Sequence, residues 1–147
     1  MTQARSKAAR RAVETRRVYK FEDVFFAPEM PLFKFASRPR SLAYLRRLAA
    51  VVWAKHGKGR PMPAIAATDL PYSFCDGASI GLAKAENTRT NIPHNTIDVL
   101  LHELTHAVGF GTHGKGFTRK YAQFLVQYGG CARSELHRAM AAFKLKP

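Results

Sequence analysis

Apolar residues recur at helical spacing along parts of this chain, and other stretches read as strands. Over SLAYLRRLAAVVWAKHG (41–57), Leu42, Leu45, Leu48 and Val52 return every three or four positions. That spacing lays them along one face of an α-helix, which Ser41 can cap and Gly57 ends. MPAIAATDL (62–70) and PYSFCDGASIGLAKA (71–85) read instead as strands, and Asp76-Gly77 predicts a hairpin turn between YSFC and ASIGL. ENTRTNIPHN (86–95) is a polar connector stopped by Pro93. Asn95 or Thr96 then caps a helix reaching about Val108, with Asp98 in the first turn, where the helix dipole favours an acid. Gly109 stops it. A further helix spans about Lys115 to Tyr128, with Phe117, Tyr121, Phe124, Leu125 and Tyr128 inward and Gly129-Gly130 at its end. The last runs from Ser134 to Phe143, burying Leu136, Met140 and Phe143. A helix, a small sheet and then more helices define an α+β class.

The N-terminal part follows neither pattern cleanly. Residues 1–20 can form a helix, but most of their apolar residues are alanines, too small to hold it on a core. The expectation is a flexible basic arm, or a helix ordered only on a partner. VYKFEDVFFAPEMPLFKF (18–35) is aromatic and interrupted by Pro28 and Pro31, which predicts an irregular or short extended segment packed across the domain. The expected organisation is an arm over 1–20 and one domain over 21–147.

Composition adds little to the fold and more to the partner. The 147 residues suit one hydrophobic core. No apolar run approaches the roughly 18 residues that cross a membrane. The basic start lacks the apolar stretch of a secretory signal, so a cytoplasmic location is expected, the host cytoplasm for a phage protein. Cys75 and Cys131 are too few for a disulfide framework or zinc ribbon and are expected as reduced, buried thiols. The net charge is +14, and it is unevenly spread. Residues 1–20 hold seven Lys/Arg and one acid, residues 30–68 hold eight and none, and residues 114–147 hold seven and one. Residues 69–113 hold two Lys/Arg and five acids. Basic segments flanking a neutral centre favour a polyanionic partner, DNA more than RNA, bound through phosphates. The basic helices lack a Trp/Phe-rich face, so no membrane partner is expected.

The neutral centre carries the chemistry. HELTHAVGFGTHGKGF (102–117) holds three of the six histidines. Positions four apart on a helix lie on one face about 6 Å apart along the axis, so His102 and His106 can converge on one ion. Glu103 sits one step round, close enough to take a proton from a water that the ion acidifies. This is the logic of HExxH. Chance produces the pattern in such a chain roughly once in a hundred. Two features raise its weight: Ile97, Leu100, Leu101, Leu104 and Val108 make this a core helix, and His113 follows the helix break. Catalytic zinc usually takes three protein ligands and keeps a position open. Gly109, Gly111 and Gly114 would let the chain turn back to bring His113 to the pair. His113 is preferred over Glu135 as third ligand, given the adjacent glycines and Phe117.

This stretch resembles the active-site region of the SprT-like zinc proteases, the group that includes Spartan. In that family an HExxH helix is followed by a histidine in an H-G-x-x-F context, here His113-Gly114-Lys115-Gly116-Phe117. The resemblance covers roughly residues 41–128. It implies a zincin-like minimal metalloprotease core, a basic helix and small β-sheet followed by the HExxH helix and C-terminal helices. It implies Zn2+ held by His102, His106 and His113, with Glu103 as general base. The implied substrates are proteins on DNA. No zinc ribbon follows, so nucleic-acid contact falls to the basic segments. The alternatives are a nucleic-acid-binding module with a structural or vestigial zinc site, and a metal-dependent nuclease, against which Glu103 argues.

The remaining polar residues are assigned more ordinary roles. Asp98 is expected to serve the helix dipole rather than orient His102. His94 is expected as a solvated loop residue, His137 as a surface one, and Tyr121, Tyr128 and Trp53 as core. Residues 79–89 are expected to present an edge strand along the cleft, where a peptide could pair by main-chain hydrogen bonds.

Overall fold

Ile97, Leu100, Leu101 and Leu104 are all fully shielded from solvent, and the helix that carries them organises everything else. The computed structural model describes residues 3–27 and 32–147. Among these, six helices and a three-stranded sheet make a mixed α+β fold: α1 (Gln3–Phe25), α2 (Lys34–Ser37), α3 (Leu42–His56), β1 (Ala64–Thr68), β2 (Phe74–Cys75), β3 (Ser79–Ala83), α4 (Ile97–Ala107), α5 (Lys115–Gln127) and α6 (Arg133–Ala142). Helix α4 packs on α2, α3, α5 and the sheet. Burying each of its four large apolar side chains contributes about 1.5–3 kcal/mol, so the helix is held by packing. No helix among the described residues is long and apolar enough to cross a membrane.

The sheet has the order β1-β3-β2. β1 pairs with β3 in parallel, Ile65 opposite Ile80, and β2 pairs with β3 antiparallel, Cys75 opposite Ile80. The expected hairpin is present. Asp76 Oδ1 accepts from the backbone N–H of Ala78 and Ser79, and Gly77 takes φ +92. The expectation of an edge strand over 79–89 is corrected. β3 is the central strand, because β1 lies on one side of it and the hairpin brings β2 to the other. The edge facing α4 is therefore β2.

Two N-terminal expectations are also corrected. Residues 3–25 form one continuous helix, so the boundary expected at 20/21 falls inside it. Its first three turns are exposed, but Val18 and Phe21 are 1% and 0% exposed. The reason is periodic: Val18, Phe21 and Phe25 recur every three or four residues, a helical stripe that a reading weighted by Pro28 and Pro31 missed. Both prolines lie outside the described residues. Phe21 and Phe25 each meet Phe143 edge-on, which docks α1 on α6. Ser41 caps α3 as expected, accepting from Tyr44 N–H. Thr96 occupies the N-cap of α4 without a side-chain cap bond, and Asn95 instead donates to the Arg40 carbonyl.

Candidate metal centre

Three imidazoles meet above the ring of Phe117. Helix α4 supplies His102 and His106 one turn apart, and the loop after it supplies His113. Gly109 makes the return possible, with φ +126, a conformation that a side chain strains. The Phe110 carbonyl then comes back to within 2.6 Å of His106 Nδ1. Phe117, in the first turn of α5, lies 4.7–4.9 Å centroid to centroid beneath all three rings.

Every Nδ1 has an oxygen partner, and for His102 and His106 that partner can only accept. His102 Nδ1 donates to Glu22 Oε2 at 2.8 Å and His106 Nδ1 to the Phe110 carbonyl, and His113 Nδ1 lies 3.2 Å from the Thr15 hydroxyl. A carboxylate or carbonyl can only accept, so His102 and His106 each hold a proton on Nδ1, and the neutral form of each ring offers Nε2 to a metal. Burial would lower His102, but the Glu22 carboxylate outweighs it and raises that imidazole. The Nε2 atoms face one another. His102 Nε2 is 3.2 Å from His106 Nε2 and 3.1 Å from His113 Nε2. Two unprotonated nitrogens so placed repel, and a cation bound between them removes that repulsion. Zinc–nitrogen bonds of roughly 2.0–2.1 Å in a tetrahedron require nitrogens about 3.3–3.4 Å apart. The observed spacing fits that donor set, and all three ligand atoms lie within 4.8 Å of one another. Glu135 is exposed on α6 and lies outside the cluster.

The electrostatics follow from burial. His102 and Glu103 are 3% and 6% exposed. Burial lifts the Glu103 carboxyl to about 7. Burial, reinforced by the two neighbouring imidazoles, pushes His113 down to about 4, and burial likewise lowers His106. Both are thus neutral donors at pH 7. Burial alone would lift Glu22, but His102 and the Tyr121 hydroxyl outweigh it and hold that carboxyl below its usual range. Tyr121 Oη donates to Glu22 Oε2 at 2.8 Å.

Helix α1 supplies the parts that sequence reasoning missed. Thr15, Tyr19 and Glu22 fall at i, i+4 and i+7, one face of that helix. Tyr19 stacks on His102 at 5.7 Å and meets His113 at 5.3 Å, so it roofs the cluster opposite Phe117. The available signal was an acid set among Val18, Phe21, Phe25 and Phe26, which an exposed arm has no reason to carry. Asp98 does not reach His102; Glu22 takes that place. The Asp98 carboxyl is buried, and burial lifts it to about 7. His94 is half-buried rather than solvated, with Nδ1 2.7 Å from Ser73 Oγ. Tyr121 is core as expected, Trp53 donates Nε1–H to the Arg60 carbonyl, and Tyr128 Oη lies 3.2 Å from His56 Nε2. Cys75 and Cys131 are free thiols.

Glu22→Gln keeps the shape and removes the charge that orients His102. Loss of such an outer partner typically costs 10–100-fold in metal affinity. Competition with a chromophoric chelator is expected to show a drop in Zn2+ affinity of about that size, and unchanged affinity would remove Glu22 from the site.

Comparison with protein-family models, with curated proteins and with solved structures finds no match to this chain.

Proposed function

We propose that the chain is a zinc-dependent endopeptidase with a zincin-like core, acting on proteins at or near nucleic acid. The observation behind this reading is the convergence of three Nε2 atoms, with the carboxyl group of Glu103 one helical step from His102. His102, His106 and His113 would hold the ion. Zinc supplies Lewis acidity toward a carbonyl oxygen and makes water a nucleophile near neutral pH. Glu103 accepts the proton of the attacking water as general base and returns it to the leaving amine. Its burial favours proton uptake. Glu22, the Phe110 carbonyl and Thr15 keep the imidazoles oriented throughout. Tyr72 and Ser73, just before edge strand β2, line the cleft, and an extended peptide there can pair with main-chain groups. The SprT-like resemblance of residues 41–128 supports the same chemistry.

The nucleic-acid part of the reading rests on charge. The exposed start of α1 carries Lys7, Arg10, Arg11 and Arg16, and the cytoplasm is the compartment we infer. One experiment separates the enzyme from a zinc-containing binding module and from a nuclease. Zinc-loaded protein is incubated with a labelled duplex carrying a bound protein, with and without a chelator. The expected result is chelator-sensitive cleavage of the protein and an intact duplex. Cut DNA would favour the nuclease, and binding with a steep salt slope but no cleavage would favour the module.

A further inference from the structure

A cleft of about 210 Å3 opens beside His102 and Glu103 and reaches Tyr72, Ser73 and His94. The chain has 24 Lys/Arg against 10 Asp/Glu, yet this cleft reverses the sign. Its carboxyl groups are Glu22, Asp23, Asp98 and Glu103, and no Lys or Arg is among its described lining residues. Two of the four are already engaged. Glu22 holds His102 and Tyr121, and Glu103 is assigned to proton transfer.

Asp98 is used neither by the histidine cluster nor by the proposed proton transfer. It is 4% exposed, and its Oδ1 has no hydrogen-bond partner among the described residues. Thr96 lines the same cleft at 2% exposure, and its Oγ1 is also without a partner. A buried carboxylate oxygen left without a donor is destabilising, and a charged donor relieves that cost best. Asp23 adds an exposed carboxylate to the lining. Phe26, Ile92 and Val99 supply apolar wall, which suits an alkyl stem carrying a cationic head.

We propose that this cleft is a binding subsite for a lysine or arginine side chain of a protein substrate, with Asp98 receiving the charged head and Asp23 at the entrance. The identity of the ligand as part of a protein rests on the protease reading; the cation preference rests on the cleft itself. Long-range charge works the other way. A +14 surface draws acidic peptides, so a cation preference must arise locally, within the roughly 8 Å over which charges act at physiological salt.

The test reads binding, so it needs no turnover. Fluorescence anisotropy at 0.15 M salt is measured on zinc-loaded Glu103→Gln protein, with decapeptides differing at one position: arginine, lysine, neutral citrulline or glutamate. The arginine and lysine peptides are expected to bind about tenfold tighter than the citrulline peptide. Adding Asp98→Asn should collapse that gap, and Asp23→Asn, on an exposed residue, should narrow it about twofold. Equal binding of all four peptides, tighter binding of the glutamate peptide, or a gap that survives both substitutions would overturn the subsite. A preserved arginine preference in a protein whose parent form hydrolyses none of these peptides would support the subsite and count against the protease alone.

Discussion

On the proposed protease reading, Glu103→Gln protein is expected to retain a full complement of zinc and to lose peptide hydrolysis. Glutamine matches glutamate in size, and Glu103 lies outside the three-histidine ligand cluster, so neither packing nor metal retention depends on the lost charge. What disappears is the proton acceptor. General-base catalysis contributes typically 10²–10⁴-fold, so kcat/KM is expected to fall by at least a hundredfold. Elemental analysis should show zinc stoichiometry equal to that of the parent protein. Because Glu103 is 6% exposed and burial disfavours its ionised form, the variant should melt no lower than the parent. Parent-like hydrolysis by the variant would remove Glu103 from the mechanism.

His113→Ala acts on the ion instead. Four-ligand structural zinc sites bind with about 10–16 kcal/mol, or about 3 kcal/mol per ligand, which corresponds to roughly a hundredfold in affinity. A drop of that order or larger is expected in chelator competition, with hydrolysis lost in parallel at limiting zinc. Glu135→Ala should leave affinity unchanged, since Glu135 is exposed on α6. His113 contributes little to the core: it is half-buried and its Nδ1 meets only Thr15. The variant should therefore remain folded, and unaltered zinc affinity would assign the third ligand elsewhere.

The legible and illegible parts of the site divide by sequence distance. His102, Glu103 and His106 share a helix whose register was plain from Ile97, Leu100, Leu101 and Leu104, and local helical geometry alone puts the two rings on one face. His113 was within reach because glycines flank it. Glu22 was not, although its carboxylate is the partner of His102, because 80 residues separate them. Thr15 lies 98 residues from His113. No periodicity reports such a pairing; it appears only once α1 docks beside α4 and α6. The same limit explains the strand misplacement. The strands and hairpin over 71–85 were legible, but which strand lies at the edge depends on how β1 crosses over.

The sequence by itself determined which helix carries the histidines, where that helix breaks, where the hairpin turns and how unevenly the charge is spread. These features are written in spacings of a few residues, and the backbone's fixed rise and turn convert such spacings directly into geometry. Only the tertiary structure decided that the basic N-terminal segment is part of the site, that Glu22 rather than Asp98 holds His102, and that an acidic cleft sits inside a basic protein. Those contacts depend on which buried faces meet, and burial is a property of the packed chain that local pattern does not carry.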